Sequence, residues 1–154
     1  SVKRTPSQDN MERVTNELYH HGRSLSAMDM HNALANFNTV SRQSGALFAK
    51  YDLFLTPTIA QPPLILGTLN QNEAGVDARE WTRRVFDWVP FTPLFNTTGQ
   101  PAISLPLHWS PDGLPIGMQF AAGLNDEATL VRLAAQLEEA KPWKDRKPPV
   151  FYAD

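Results

Sequence analysis

Cysteine is absent from the 154 residues. That excludes disulfides and every cysteine-ligated metal site, and a cytoplasmic setting fits best. Charge is scarce too: 14 Lys and Arg against 16 Asp and Glu leave a net −2. No run of basic residues is interleaved with aromatics, so nucleic-acid binding has no support and no polyelectrolyte partner is demanded. No apolar run approaches the roughly 18–20 residues that a membrane span needs. The polar start of the chain carries no signal-peptide pattern. Several catalytic signatures are also missing: there is no G-x-S-x-G, no Rossmann or P-loop glycine motif, and no carboxylate pair flanking an inferable cleft.

What is present suits a globular domain with a full core, since 42% of the residues are hydrophobic. The 13 prolines exceed the roughly 5% average and are scattered through hydrophobic segments. That implies extended segments that bend at element ends. The chain opens on Ser1 in a polar stretch, which suggests a processed or truncated polypeptide.

Residues 1–9 read as a linker or flexible end, 10–143 as the folded portion, and 144–154 as a basic, Pro-rich tail. Met11, Val14 and Leu18 predict a short helix from Asn10 to His21, with Gly22 as its stop. Ser26 with Asp29 resembles a capping box, opening a helix to Lys50. Its stripe, Met30, Leu34, Phe37, Ser41, Ser44 and Phe48, is small and polar in the middle, as for close packing there or for a helix lying over a sheet at an angle. YDLFLTPT (51–58) predicts a strand covered on both faces and ended by Pro57. Residues 60–76 form a long connection of the kind found at active sites or interfaces.

Asp77 with Glu80 opens the next helix. Trp81, Val85 and Trp88 lie on one face and Phe86, Val89 and Pro93 on the other, so burial on both sides is expected. Pro90 and Pro93 break or kink it. Then Ile103, Leu105 and Leu107 alternate with small residues, and so do Ile116, Met118 and Phe120. Ser110-Pro111-Asp112-Gly113 is a turn between them. A hairpin pairs Leu107 with Ile116, Leu105 with Met118 and Ile103 with Phe120. Its other face, Ala102, Ser104, Gly117 and Gln119, is small. Asn125 or Asp126 caps a last helix with the stripe Leu130, Leu133, Ala134 and Leu137, ended by Pro142.

Candidate chemistry is thin. His20 and His21 point about 100° apart on a helix and cannot share a ligand geometry. His31 and His108 lack partners at ligand spacing, and all four read as ordinary surface or satisfied histidines. Ser104 sits mid-strand with no local base and reads as a packing residue. Lys141, Lys144, Arg146 and Lys147 read as a solvated tail. Trp81, Phe86, Trp88, Phe91 and Phe95 read as core, or as the apolar wall of a substrate pocket near the Pro kink.

The order of segments carries more. YDLFLTPT, a long loop, Asn96-x-x-Gly99-x-Pro101-Ala102-x-x-x-Pro106, then Gly113-Leu114-Pro115-Ile116-Gly117-Met118-Gln119 and a Leu-rich helix resemble the C-terminal part of amidase signature enzymes. The likeness runs from about Leu25 to Trp143, and its last stretch is similar to bacterial amidases of the 6-aminohexanoate-cyclic-dimer hydrolase kind. The resemblance implies an α/β fold, here part of a mixed β-sheet flanked by helices. It implies amide hydrolysis by a Ser, a cis-Ser and a Lys, with no metal or cofactor. Both serines belong to a Gly/Ser-rich segment with no counterpart here, and Lys3, Lys50, Lys141, Lys144 and Lys147 sit at the N-terminus, a helix end or the tail. No catalytic residue is therefore assigned to this chain, and its expected partner is the N-terminal catalytic part of the same amidase.

By position, the resemblance nominates Thr58 and Ile59, and the face Phe86, Val89 and Pro93, as substrate-binding residues around a small apolar amide. Each also reads as plain packing. Two alternatives stay open: the amidase subunit of a tRNA-dependent amidotransferase, and a non-catalytic interaction module reusing this piece of fold. A lone fragment would expose the small face and the sheet edge, so a homo-oligomer is a further expectation.

Overall fold

The computed structural model describes residues 4–148. Lys3 and residues 149–154 of the expected tail lie outside the described residues. The elements run α1 (Arg13–Ser24), α2 (Ala27–Phe48), β1 (Leu53–Pro57), α3 (Ala78–Trp88), α4 (Thr92–Thr98), β2 (Ala102–Trp109), β3 (Pro115–Ala122) and α5 (Glu127–Ala140). This is the α/β mixture the sequence implies. The strands form one small sheet in the order β1-β3-β2, antiparallel throughout.

Alternation along β3 sorts the core. Phe120 and Ala122 face one side with Leu105, and α5 covers them with Leu130 and the rest of its stripe. On the opposite side the Phe54 ring meets Phe95 of α4 edge-on at 6.3 Å. There the Gln119 amide donates to Thr56 Oγ1 at 3.3 Å, which satisfies a buried polar pair. Helices thus lie on both sides of the sheet. Coverage of β1 is nonetheless incomplete, because Leu55, on an edge strand, is exposed.

The hairpin forms with Ile103 opposite Phe120 and Leu105 opposite Met118. The expected pair Leu107–Ile116 does not form; His108 stands opposite Ile116 after a register shift between Pro106 and His108. Pro106 has no N–H for the ladder, so the strand accommodates an extra residue there. Leu107 still packs on the core.

Local chemistry sets the helix starts. Ser26 Oγ accepts from the Asp29 N–H, and the Asp29 carboxylate accepts from the Ser26 N–H, closing the capping box of α2. Asp77 Oδ1 accepts from the Glu80 N–H at 2.8 Å. Glu80's own carboxylate turns instead to Arg83 and Arg84. α1 begins three residues later than expected because Asn10 closes a turn, accepting from the Ser7 N–H and donating to the Thr5 carbonyl. It also passes through Gly22 to Ser24, because the stop comes from extended Leu25 ahead of the capping box. α3 carries no buried residue, and Phe86 is exposed. One side of α3 meets α1 and the 70–76 loop while the other opens to solvent, so it is not covered on both faces as expected.

Candidate functional site

The loop end of the hairpin and the chain beyond β1 enclose a cavity of about 280 Å³. Pro57, Ile59, Pro62 and Pro63 form one wall, and Leu114, Pro115 and Ile116 form the other. Ala60, Gln61, Ser110 and Gly117 complete it, so no lining side chain is ionisable. The second wall is held by the turn: the Gly113 N–H donates to the Ser110 carbonyl at 2.9 Å, and the Leu114 N–H to Ser110 Oγ at 3.1 Å. Gly113 supplies the left-handed φ of 80° that this turn requires. The register shift contributes as well. It sets Ile116 opposite polar, exposed His108 rather than Leu107, and Ile116 lines the cavity.

Ile59, one of the nominated residues, lines this cavity. Thr58 lies between two lining residues but turns to the other side of the strand. Its N–H donates to the Gly117 carbonyl at 2.9 Å, and its hydroxyl meets that of Ser104 at 2.5 Å. The remaining nominated residues lie at the junction of α3 and α4. The Ala60 N–H donates to the Trp88 carbonyl at 2.9 Å, which brings the segment after Thr58 and Ile59 beside Val89. Val89 caps α3, its N–H bonded to the Val85 carbonyl. Phe86 lies three residues back and is exposed, and Pro93 sits in the first turn of α4. The structure thus brings Thr58, Ile59 and Val89 into one neighbourhood, with Phe86 and Pro93 one helical turn away along the chain on either side.

Sequence reasoning did not name Pro62, Pro63, Leu114, Pro115 or Ile116 as cavity residues. The signal available was the unexplained apolar character of the 60–76 connection and of the residues just after the turn. A larger hollow, about 510 Å³, lies between α1 and α3 and shares no residue with the nominated set. Its acidic groups are engaged: Glu17 accepts from the Ala78 N–H at 2.8 Å and pairs with Arg13, and Asp77 caps α3.

Among the described residues no acid–base unit accompanies the cavity. The Thr58–Ser104 pair contains no general base. Among the described residues Lys50, Lys141, Lys144 and Lys147 are all exposed, as are the four histidines. Arg146 lies over the Trp109 ring at 4.1 Å, tying the tail to the end of β2. No described helix is long and apolar enough to cross a membrane.

A family model described as Amidase matches residues 2–131. The chain is 45% identical over 111 residues to the putative amidase AmiC of Mycobacterium leprae (strain TN), covering 72% of this chain and 23% of that protein. It is 40% identical over 103 residues to the 6-aminohexanoate-cyclic-dimer hydrolase of Paenarthrobacter ureafaciens, covering 65% and 21%. A solved structure of 6-aminohexanoate cyclic dimer hydrolase complexed with substrate matches with a TM-score of 0.80 at 28% identity, over 96% of this chain and 31% of that one. The chain spans less than a quarter of the length of these two curated relatives. A family model spanning most of its residues, and relatives of this identity, show that the chain belongs to the amidase signature family.

Proposed function

We propose that this chain is the C-terminal portion of an amide hydrolase, and that it shapes the substrate pocket while the reacting groups come from elsewhere in the enzyme. The observation that carries the reading is the family match joined to the uncharged apolar cavity beside Ile59. Relatives named putative amidase and 6-aminohexanoate-cyclic-dimer hydrolase support hydrolysis of a carbon–nitrogen amide bond. The exposure of the described lysines and the lack of a Gly/Ser-rich segment support a Ser/cis-Ser/Lys centre outside this chain. The lining favours a small apolar amide, because a charged substrate group would lose its hydration there without gaining a partner. A cytoplasmic location accords with the cysteine-free sequence.

The experiment is an assay on anilides of short aliphatic acids, run with the chain alone and with the remaining portion of an amidase supplied as a second polypeptide. The chain alone is expected to be inactive, and the mixture active. Robust hydrolysis by the pure chain, or none by a mixture that forms a complex, contradicts the proposal.

A further inference from the structure

α2 is a helix of 22 residues, about 33 Å at 1.5 Å per residue, and only its second half is packed. From Ser26 to Thr39 every residue is exposed. Met30, Leu34 and Phe37 nonetheless make one stripe at i, i+4, i+7, and stand 59%, 52% and 52% exposed. The same stripe continues through Ser41 to Ser44, where α2 reaches α4 and Ser44 Oγ donates to Gln100 Oε1 at 3.4 Å. The unpaired half is thus the continuation of an interface already formed.

Composition identifies the kind of cover. Residues 27–39, AMDMHNALANFNT, contain no Lys, Arg or Glu, and the lone Asp29 is engaged in the capping box. A solvated helix face carries charge of both signs, and a membrane-surface helix carries Lys and Arg on its polar face. This segment has neither. Away from the stripe the segment is mostly Ala and Asn, with Met28, His31 and Thr39 among them, and the small residues suit close approach of protein backbone. A free helix of this length is also marginal in water without tertiary packing.

We infer that the Ser26–Thr39 half of α2 is a docking ridge for the remainder of the amidase, with Met30, Leu34 and Phe37 as anchors. The inference rests on the function proposed above. The match to 6-aminohexanoate cyclic dimer hydrolase supports that occupant: it covers 96% of this chain but 31% of that one, so nearly all of α2 belongs to the shared fold while most of that enzyme lies outside the match. This ridge is separate from the small face of the sheet at Ser104 and Gly117.

The test uses the 154-residue chain and, as a separate polypeptide, the Mycobacterium leprae putative amidase AmiC with its matched region deleted. Hydrogen exchange reads residues 27–39, light scattering reads association, and anilide hydrolysis reads function. The ridge exchanges freely in the chain alone and gains protection of about tenfold or more in the complex. Phe37→Asp leaves the melting of the isolated chain unchanged and weakens association by about tenfold or more. If the complex forms and hydrolyses anilides while 27–39 stays unprotected and Phe37→Asp binds as well as wild type, the ridge is wrong and the proposed function stands. A protected ridge in an inactive complex supports the ridge and contradicts the function. Protection that rises with the concentration of the chain alone makes a second copy the occupant and overturns the inference. Absence of any complex overturns both.

Discussion

The hydroxyls of Thr58 and Ser104 meet at 2.5 Å across the bare backbone of Gly117. The three residues come from just past the end of β1, from β2 and from β3, so the bond spans the sheet over its central strand. A Cβ on Gly117 would lie 2.6 Å from Thr58 Oγ1, 2.8 Å from Ser104 Oγ and 3.1 Å from Thr58 Cβ. Glycine is required here for space rather than for a special φ.

Gly117→Ala is therefore expected to part the two hydroxyls and destabilise the chain by about 1–3 kcal/mol, the usual cost of overpacking. Urea denaturation measures it. The cost should shrink when Gly117→Ala is made in a Thr58→Ala, Ser104→Ala background, since the close oxygens are then gone. An undiminished cost would show that the clash lies elsewhere.

Leu130→Ala should cost about 2–5 kcal/mol, because Leu130 is 4% exposed and seats α5 on the sheet. Its neighbour Val131, 64% exposed, should change stability by less than about 0.5 kcal/mol on truncation to Ala. Equal costs at the two positions would contradict the assigned face of α5.

Acid sensitivity should trace partly to α3. Hydrogen bonds from Arg83 and then Arg84 hold the Glu80 carboxyl at about 2, against an ordinary value of 4.5. The folded value is the lower one, so this contribution is complete above pH 4.5 and is lost as pH falls through about 2. Melting temperatures across that window should fall more steeply for wild type than for Glu80→Gln. Salt should flatten the difference, since the pairs are at the surface. Parallel pH curves for the two proteins would contradict the assignment.

Ile59→Asp places a charge in the cavity wall. In the two-polypeptide enzyme it should raise KM for aliphatic anilides by about tenfold or more while the mixture still assembles. An unchanged KM would remove the cavity from the substrate path.

What could be read from the sequence was the local chemistry. Ser26 with Asp29, Asp77 with the Glu80 N–H, and the Ser110–Gly113 turn are each closed by bonds within four residues, and each was legible. Pairings that depend on distant chain were not. The Thr58–Ser104 bond joins residues 46 apart. The cavity walls at Pro62 and Leu114 meet only because β1 and β3 pair. The Leu107 register failed because alternation counts residues: that Pro106 limits the ladder was legible, but not that the strand takes up an extra residue there. Gly22 misled because a glycine stops a helix only when the chain turns left-handed there, and α1 does not. The order of motifs carried the family, yet the free half of α2 looked like any amphipathic helix until its surroundings were known.

The central claim is that the nucleophile of this amidase lies outside these residues, and labelling with a fluorophosphonate reads it directly, because that reagent bonds to an activated serine oxygen. The labelled active mixture would be separated on a denaturing gel and each polypeptide mapped by mass spectrometry. Label on the supplied polypeptide and none on this chain is the expected result. Stoichiometric label on Ser104, or on any serine of this chain, would contradict it.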